Sequence, residues 1–382
     1  MWGFSTFLHI FISGRLNRLS QSTEAFALLS AIFCCLAVLL GSVPSRAEGV
    51  STQCCANLAE RIADLEATAA HKGNRRMSLQ LSGLINHSVF NFDDGDERNT
   101  YQASNLFTGP RIRFEGGAVI NSDWRAGFKH YTNVFTATSF TVNQNDDNDQ
   151  IVPGGIFTRR TIWYLDNKHL GRISVGRTAP GVDNLIYGTT SGLFAPSSSD
   201  ILLGSSLAFR NSVTGELTGI TPLSLTGFLF ALRRNVVLYT SPLINGLTFR
   251  AGYGEDDTWG LSAVYAKPHG AFDVVARAGY LEDTDATNGS GTEPDFLEIK
   301  GVLSALHRPT GLFFDAVHVH RSFEAIPGGP SPNDIDYSYG RLGWITKLNE
   351  QGRTVFFGEL ARGEGGLEGI DSPGFTANAG LG

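Results

Sequence analysis

From Met77 almost to its end, the chain alternates apolar with polar residues in segments of about ten. The connections between these segments alternate short with long. In Leu247–Tyr253, Trp259–Tyr265 and Phe272–Tyr280 every second residue is apolar or aromatic, with Gly, Ser, Thr, Arg or Asp between. Side chains of a strand point alternately to its two faces, so each segment has one apolar and one wet face. A soluble sandwich also alternates, but it lacks tight turns at one end and long polar loops at the other. The pattern predicts an all-β fold, a transmembrane antiparallel β-barrel.

Thirteen strands are expected, over 77–92, 110–120, 124–137, 156–166, 171–177, 233–241, 246–253, 257–267, 271–281, 295–306, 311–323, 336–346 and 353–362. Tight connections follow the even ones, among them Asn121–Asp123, Asn167–His169, Pro242–Asn245 and Lys267–Gly270. Asn, Asp, Gly and Pro accept the dihedrals such turns need. Polar loops follow most odd ones: Asp93–Asn99, Gln144–Asp149 and Glu282–Thr287. The connection at Glu255–Asp257 is short where a long one is due.

No stretch after residue 47 is apolar for the roughly 20 residues a membrane helix needs. The net charge of −7 resides largely in the acidic loops and argues against nucleic acid as a partner. Residues 1–47 read as a signal peptide: Arg15 and Arg18 precede the apolar run Ala25–Leu40, and Ser45 and Ala47 suit cleavage. The alternative is an uncleaved anchor, for which that run is short. Residues 48–76 are expected as a periplasmic segment in which Leu58, Ile62 and Leu65 make a short coiled-coil-like helix. Cys54 and Cys55 lie before it, as an intermolecular disulfide or as free thiols. The barrel is expected over 77–382. No cofactor and no metal are expected.

Cys54–Ala67, Lys72–Gly83, Val89–Gly95 and His169–Arg177 resemble the α-proteobacterial, rhizobial-type outer-membrane porins. That resemblance implies a 16-stranded barrel, a homotrimer, outer-membrane lipid and lipopolysaccharide as surroundings, and a loop folded into the lumen. It implies passive diffusion of small hydrophilic solutes and ions. Against such relatives thirteen strands are few, and Gly374–Gly382 lacks their closing aromatic strand, so the chain is expected to be truncated at its C-terminus.

Alternation assigns charges to the lumen, since Arg or Lys at midplane on the lipid face costs about 2–4 kcal/mol. Ile112 and Phe114 outward send Arg111, Arg113 and Glu115 inward; Trp124, Ala126 and Phe128 outward send Arg125 and Lys129 inward. Arg250, Asp273, Arg277, Glu298, Lys300 and Arg341 face inward by the same logic. The longest connection, 178–232, carries Asp183 and Asp200. Folded into the lumen, it sets Asp183 against the basic wall and produces a transverse field. His318 and His320, opposite Val317 and Val319, are expected on the lumen side. Trp124, Trp163, Tyr253, Trp259, Tyr265, Tyr280 and Trp344 suit interfacial girdles. Competing readings are a structural or adhesive barrel and a barrel enzyme. The latter lacks a G-x-S-x-G motif or a matched nucleophile and base.

Overall fold

The computed structural model describes residues 77–104, 109–135, 137–139, 141–146, 155–193, 204–226, 229, 233–255, 257–284, 287–288, 291–292, 294–324, 332–350, 352–366 and 374–381. The expected signal peptide, the segment 48–76 with Cys54 and Cys55, and Asp200 lie outside these residues.

The strands are β1 (Met77–Leu84), β2 (His87–Asp93), β3 (Arg98–Ser104), β4 (Arg111–Val119), β5 (Trp124–Val134), β6 (Ile156–Asn167), β7 (Gly171–Thr178), β8 (Arg234–Thr240) and β9 (Leu247–Gly254). They continue with β10 (Trp259–His269), β11 (Phe272–Asp283), β12 (Thr287–Asn288), β13 (Gly291–Thr292), β14 (Phe296–His307), β15 (Leu312–Phe323), β16 (Ile335–Asn349), β17 (Gly352–Glu364) and β18 (Gly374–Leu381). One short helix, α1 (Pro222–Thr226), lies in the long connection. Fourteen strands make one sheet in the order β1, β4 to β11, then β14 to β18. Every neighbouring pair in it is antiparallel. Among the described residues the ladder ends on β1 and on β18.

Two segments differ from expectation. The first strand leaves the ladder after Leu84, and His87–Asp93 pairs with Arg98–Ser104 instead, so Asp93–Asn99 is the tip of a hairpin. Gly374–Leu381 pairs with β17 as a fourteenth strand of the sheet. Its sequence is small and polar apart from Phe375 and Leu381, which leaves too faint a period for detection.

The turns are built locally. Asn121 accepts the amides of Asp123 and Trp124 at 2.9 and 3.0 Å, and Asn167 those of His169 and Leu170 at 2.9 Å. These are Asx turns, in which the side chain replaces a backbone acceptor. Asn245 and Gly246 take positive φ of 50° and 92°, the type I′ signature whose twist matches the flanking strands. The short connection after β9 closes with Asp257 at φ 44°.

Register sorts the two faces. Leu79, Leu81, Ile112, Phe114, Phe128, Trp163, Val237, Leu261 and Leu342 are exposed on the outer one. The inner one carries residues 179–193 and Leu229 of the long connection. Ser262 donates its hydroxyl hydrogen to the Gly181 carbonyl at 2.7 Å, and the Thr190 amide donates to the Ser304 hydroxyl at 2.8 Å. Arg341 donates to the hydroxyls of Thr189 and Ser191 at 3.1 and 2.8 Å, while Asp183 pairs with Arg160. One short stretch of the loop, 181–191, thus touches β6, β10, β14 and β16 on the same face of the sheet.

Three wall glycines give it room. A Cβ at Gly252 or Gly260 would collide with Pro180, and one at Gly279 with Leu185. Further along, Ile186 and Leu229 pack on Val302, Val317, Val319, Tyr337, Tyr339 and Ala361. Leu193 packs on Phe313, Val355 and Phe357. Each fully buried aliphatic side chain contributes about 1.5–3 kcal/mol.

Candidate functional site

The inner face divides into two halves of different character. On β14 to β17 the charges are matched and sealed beneath the long segment. Arg341 holds Asp315 at 2.6 Å, with side chains 1% and 0% exposed. Glu298 holds Lys300 at 2.8 Å and Arg321 at 2.7 Å. Asp283 at the end of β11 takes Arg234 at 3.2 Å and the Thr258 hydroxyl at 2.6 Å.

On β4 to β9 the charges are predominantly basic. Tyr131 on β5 stands in register between Arg113 on β4 and Arg160 on β6. Their guanidinium carbons lie 5.5 and 5.6 Å from its ring centroid, within cation–π range. The Tyr131 hydroxyl donates to Glu115, which also holds Lys129 at 2.9 Å. Arg111 donates its Nε hydrogen to the Gly109 carbonyl at 2.9 Å and lies in electrostatic range of Arg113, Arg160 and Arg233.

The loop contributes Asp183. Its carboxylate takes Arg160 on one oxygen and Arg233 on the other, the latter at 3.2 Å. Burial works to raise this carboxyl, but Arg233, Arg160, Arg159 and Arg250 outweigh it and keep it below the ordinary carboxylate range. The side chains of Arg160, Asp183 and Arg233 are 22%, 15% and 13% exposed. Arg277, beside Arg250, rests its guanidinium against Gly188 of the loop.

The family model described as Gram-negative porin matches residues 39–303, more than half of the chain. The chain belongs to the Gram-negative porin family. Among solved structures it is similar to an anion-selective porin from Comamonas acidovorans, with 17% identity, TM-score 0.54, and 80% of this chain and 83% of that chain covered. It is also similar to OmpT, an outer membrane protein of Vibrio cholerae, with 13% identity, TM-score 0.49 and coverage of 81% and 83%. A third is OmpF of Salmonella typhi in complex with daunomycin, with 12% identity, TM-score 0.45 and coverage of 79% and 85%. At such identities the first likeness, the one with a TM-score above 0.5, shows the fold: the transmembrane antiparallel β-barrel of porins. No curated protein sequence matches the chain. This porin resides in the Gram-negative outer membrane.

Within this porin the residues singled out from sequence fall into separate places. Arg111, Arg113, Asp183 and Arg250 gather at the basic half, with Arg277 at its edge. Glu115 and Lys129 pair with each other beside it. Arg125 lies at the turn end of β5, opposite Asp166, six residues from Tyr131 and about 20 Å along the strand. Asp183 touches Arg160 of the wall and Arg233 at the end of the loop. His318 and His320 correct an expectation: they face outward, bonded to Ser338 at 3.0 Å and Asp336 at 2.9 Å. Val317 and Val319 turn inward because Ile186 and Leu229 of the loop make that part of the lumen apolar.

Three cluster members, Arg159, Arg160 and Arg233, were not anticipated. Alternation allows only one of Arg159 and Arg160 to face inward. The β5–β6 register shifts between Tyr131 and Thr132, and the extra residue in β6 brings both to the cluster. Arg233 sits where the loop re-enters the ladder, where strand parity does not govern direction. Two adjacent arginines on one strand, without an outward partner to neutralise either, are the only sequence sign of the bulge.

Proposed function

We propose that this porin is a passive diffusion channel for small hydrophilic solutes and ions, narrowed by residues 179–193, the inward-folded start of the loop 178–232. One observation carries the reading: Asp183, on that segment, meets Arg160 and Arg233 on the inner face of the sheet. The segment therefore lies across the lumen and leaves a charged, partly exposed passage on the β4–β9 side. Charged walls at a narrow point select among solutes by charge as well as by size. The role carries no enzymatic step.

The resemblance of Cys54–Ala67 and its neighbours supports an α-proteobacterial type of porin working as a homotrimer, with lipopolysaccharide around it. The wholly apolar outer stripe of β1 and β4, from Met77 to Leu81 and from Ile112 to Phe114, suits lipid or a second copy equally.

The test is planar-bilayer recording from protein purified from outer membranes. Discrete, long-lived, ohmic steps in KCl are expected. A correctly inserted protein that passes no current would replace this reading with a structural barrel.

A further inference from the structure

The outer face of this porin carries two imidazoles for which a channel has no use. His318 and His320 stand there on β15, with side chains 29% and 17% exposed. Toward the turns the same face is small or apolar: Ala316, Phe314 and Leu312 on β15, Gly340, Leu342 and Trp344 on β16. At the histidines it turns polar. His318, Ser338 and Arg362 make one row in register, and His320, Asp336 and Glu364 the next. The pair therefore marks the loop-side margin of the lipid-facing band, where headgroups and water begin.

Residues two apart on a strand point to the same side, so both imidazoles project over one patch. No other two histidines in the sequence lie within four positions of each other. Both rings approach one oxygen: Asp336 Oδ1 lies 2.9 Å from His320 Nδ1 and 3.9 Å from His318 Nε2. Ligands held at about 2.0–2.2 Å from a tetrahedral zinc ion stand about 3.4 Å apart, so each separation is about half an ångström from a coordination edge. The Ser338 hydroxyl bonds His318 Nδ1 at 3.0 Å, which fixes that ring and leaves Nε2 to coordinate. Glu364, the other carboxylate of the row, is engaged by Arg362 at 2.6 Å, so Asp336 is left to the imidazoles. No three His, Cys, Asp or Glu side chains among the described residues already surround one point. The edge between the two imidazoles closes only when a cation draws them together.

We propose that His318, His320 and Asp336 form a binding site for a divalent transition-metal ion of the zinc and copper class, with water in the remaining position. Imidazole nitrogen selects such ions over magnesium and calcium, which take oxygen ligands. The bound ion ties β15 to β16 beside the loop 324–334 and leaves the lumen untouched. The site rests on the register of two strands and does not depend on conduction.

Zinc chloride titrated into the purified porin in detergent, followed by calorimetry, tests it. One zinc per chain is expected that His320→Gln abolishes, with no binding heat from magnesium chloride. Ser338→Ala is expected to weaken zinc binding about tenfold, since it frees the His318 ring without removing a ligand. His169→Gln, at an exposed turn on the opposite rim, is expected to bind as the unaltered porin does. Bound zinc should also raise the unfolding temperature, as a ligand of the folded state does. No zinc binding, or full affinity retained in both His320→Gln and Ser338→Ala, overturns the site. Conductance in KCl, recorded alongside, keeps the two conclusions apart. Conduction without zinc binding overturns the site alone, and zinc binding without conduction overturns the channel alone.

Discussion

At the scale of single residues, one arginine outside the pore ties three segments together. Arg210 reaches Asp94 at 2.8 Å, Asp96 at 3.4 Å and Glu97 at 3.8 Å, all at the tip of the β2–β3 hairpin. Gln144 from a third segment donates to the Ala208 carbonyl and accepts its amide, at 2.8 and 2.9 Å. Asp94 is held down to about 2, first by the Glu97 amide that donates to it, with Arg210 and Gln144 adding to the effect. A carboxyl depressed in the folded state contributes stability above its ordinary value, and that contribution is lost as pH falls through the folded value. The clamp is therefore expected to hold unchanged from neutral pH to about 4 and to let go between about 4 and 2. Hydrogen exchange over 204–226, corrected for the intrinsic rate, should accelerate only in that window. In Arg210→Gln it should be fast already at pH 7. Equal exchange in both proteins would show that Arg210 holds nothing.

At the scale of elements, the passage owes its shape to what the strands leave out. Gly252, Gly260 and Gly279 lie on the inner face of β9, β10 and β11, where the loop backbone comes closest. Gly260→Val would drive a side chain into the Pro180 carbonyl, a clash that overpacked sites relieve at about 1–3 kcal/mol by moving something. The ladder is held by hydrogen bonds on both edges, so the loop is expected to move. The measurement is single-channel conductance, which should rise and become noisier while the barrel stays folded. Unchanged conductance would mean that the glycines do not seat the loop. Element scale is also where sequence reading met its boundary. Alternation places Arg250, Asp273, Arg277, Glu298, Lys300 and Arg341 on the inner face, where the register has them. On β15 the rule that apolar means lipid reverses, because Val317 and Val319 meet an apolar plug. In β6 one inserted residue breaks the parity and adds Arg159 to the cluster.

At the scale of the molecule, the outer surface is a solvent-matched object: its large apolar side chains suit hydrocarbon and not water. Leu342, 70% exposed near the middle of β16, is expected to face lipid. Leu342→Arg should cost about 2–4 kcal/mol in a folding equilibrium measured in lipid vesicles. Val213→Arg, at a 90% exposed loop position, should leave that equilibrium unchanged. Equal effects at the two positions would remove the lipid assignment. The amino-acid sequence by itself determined the strand class, the turn chemistry, the alternation of connection lengths and most of the inward and outward assignments. All of these follow from the two-residue period of a strand and the dihedrals of turn residues, which are local. Only the tertiary structure decided which charges meet. The partners of Asp183 come from β6 and from the mouth of β8, and those of Arg341 from β15 and the loop. Such contacts depend on the path of the loop across the sheet and on one bulge, and neither is written in any local period.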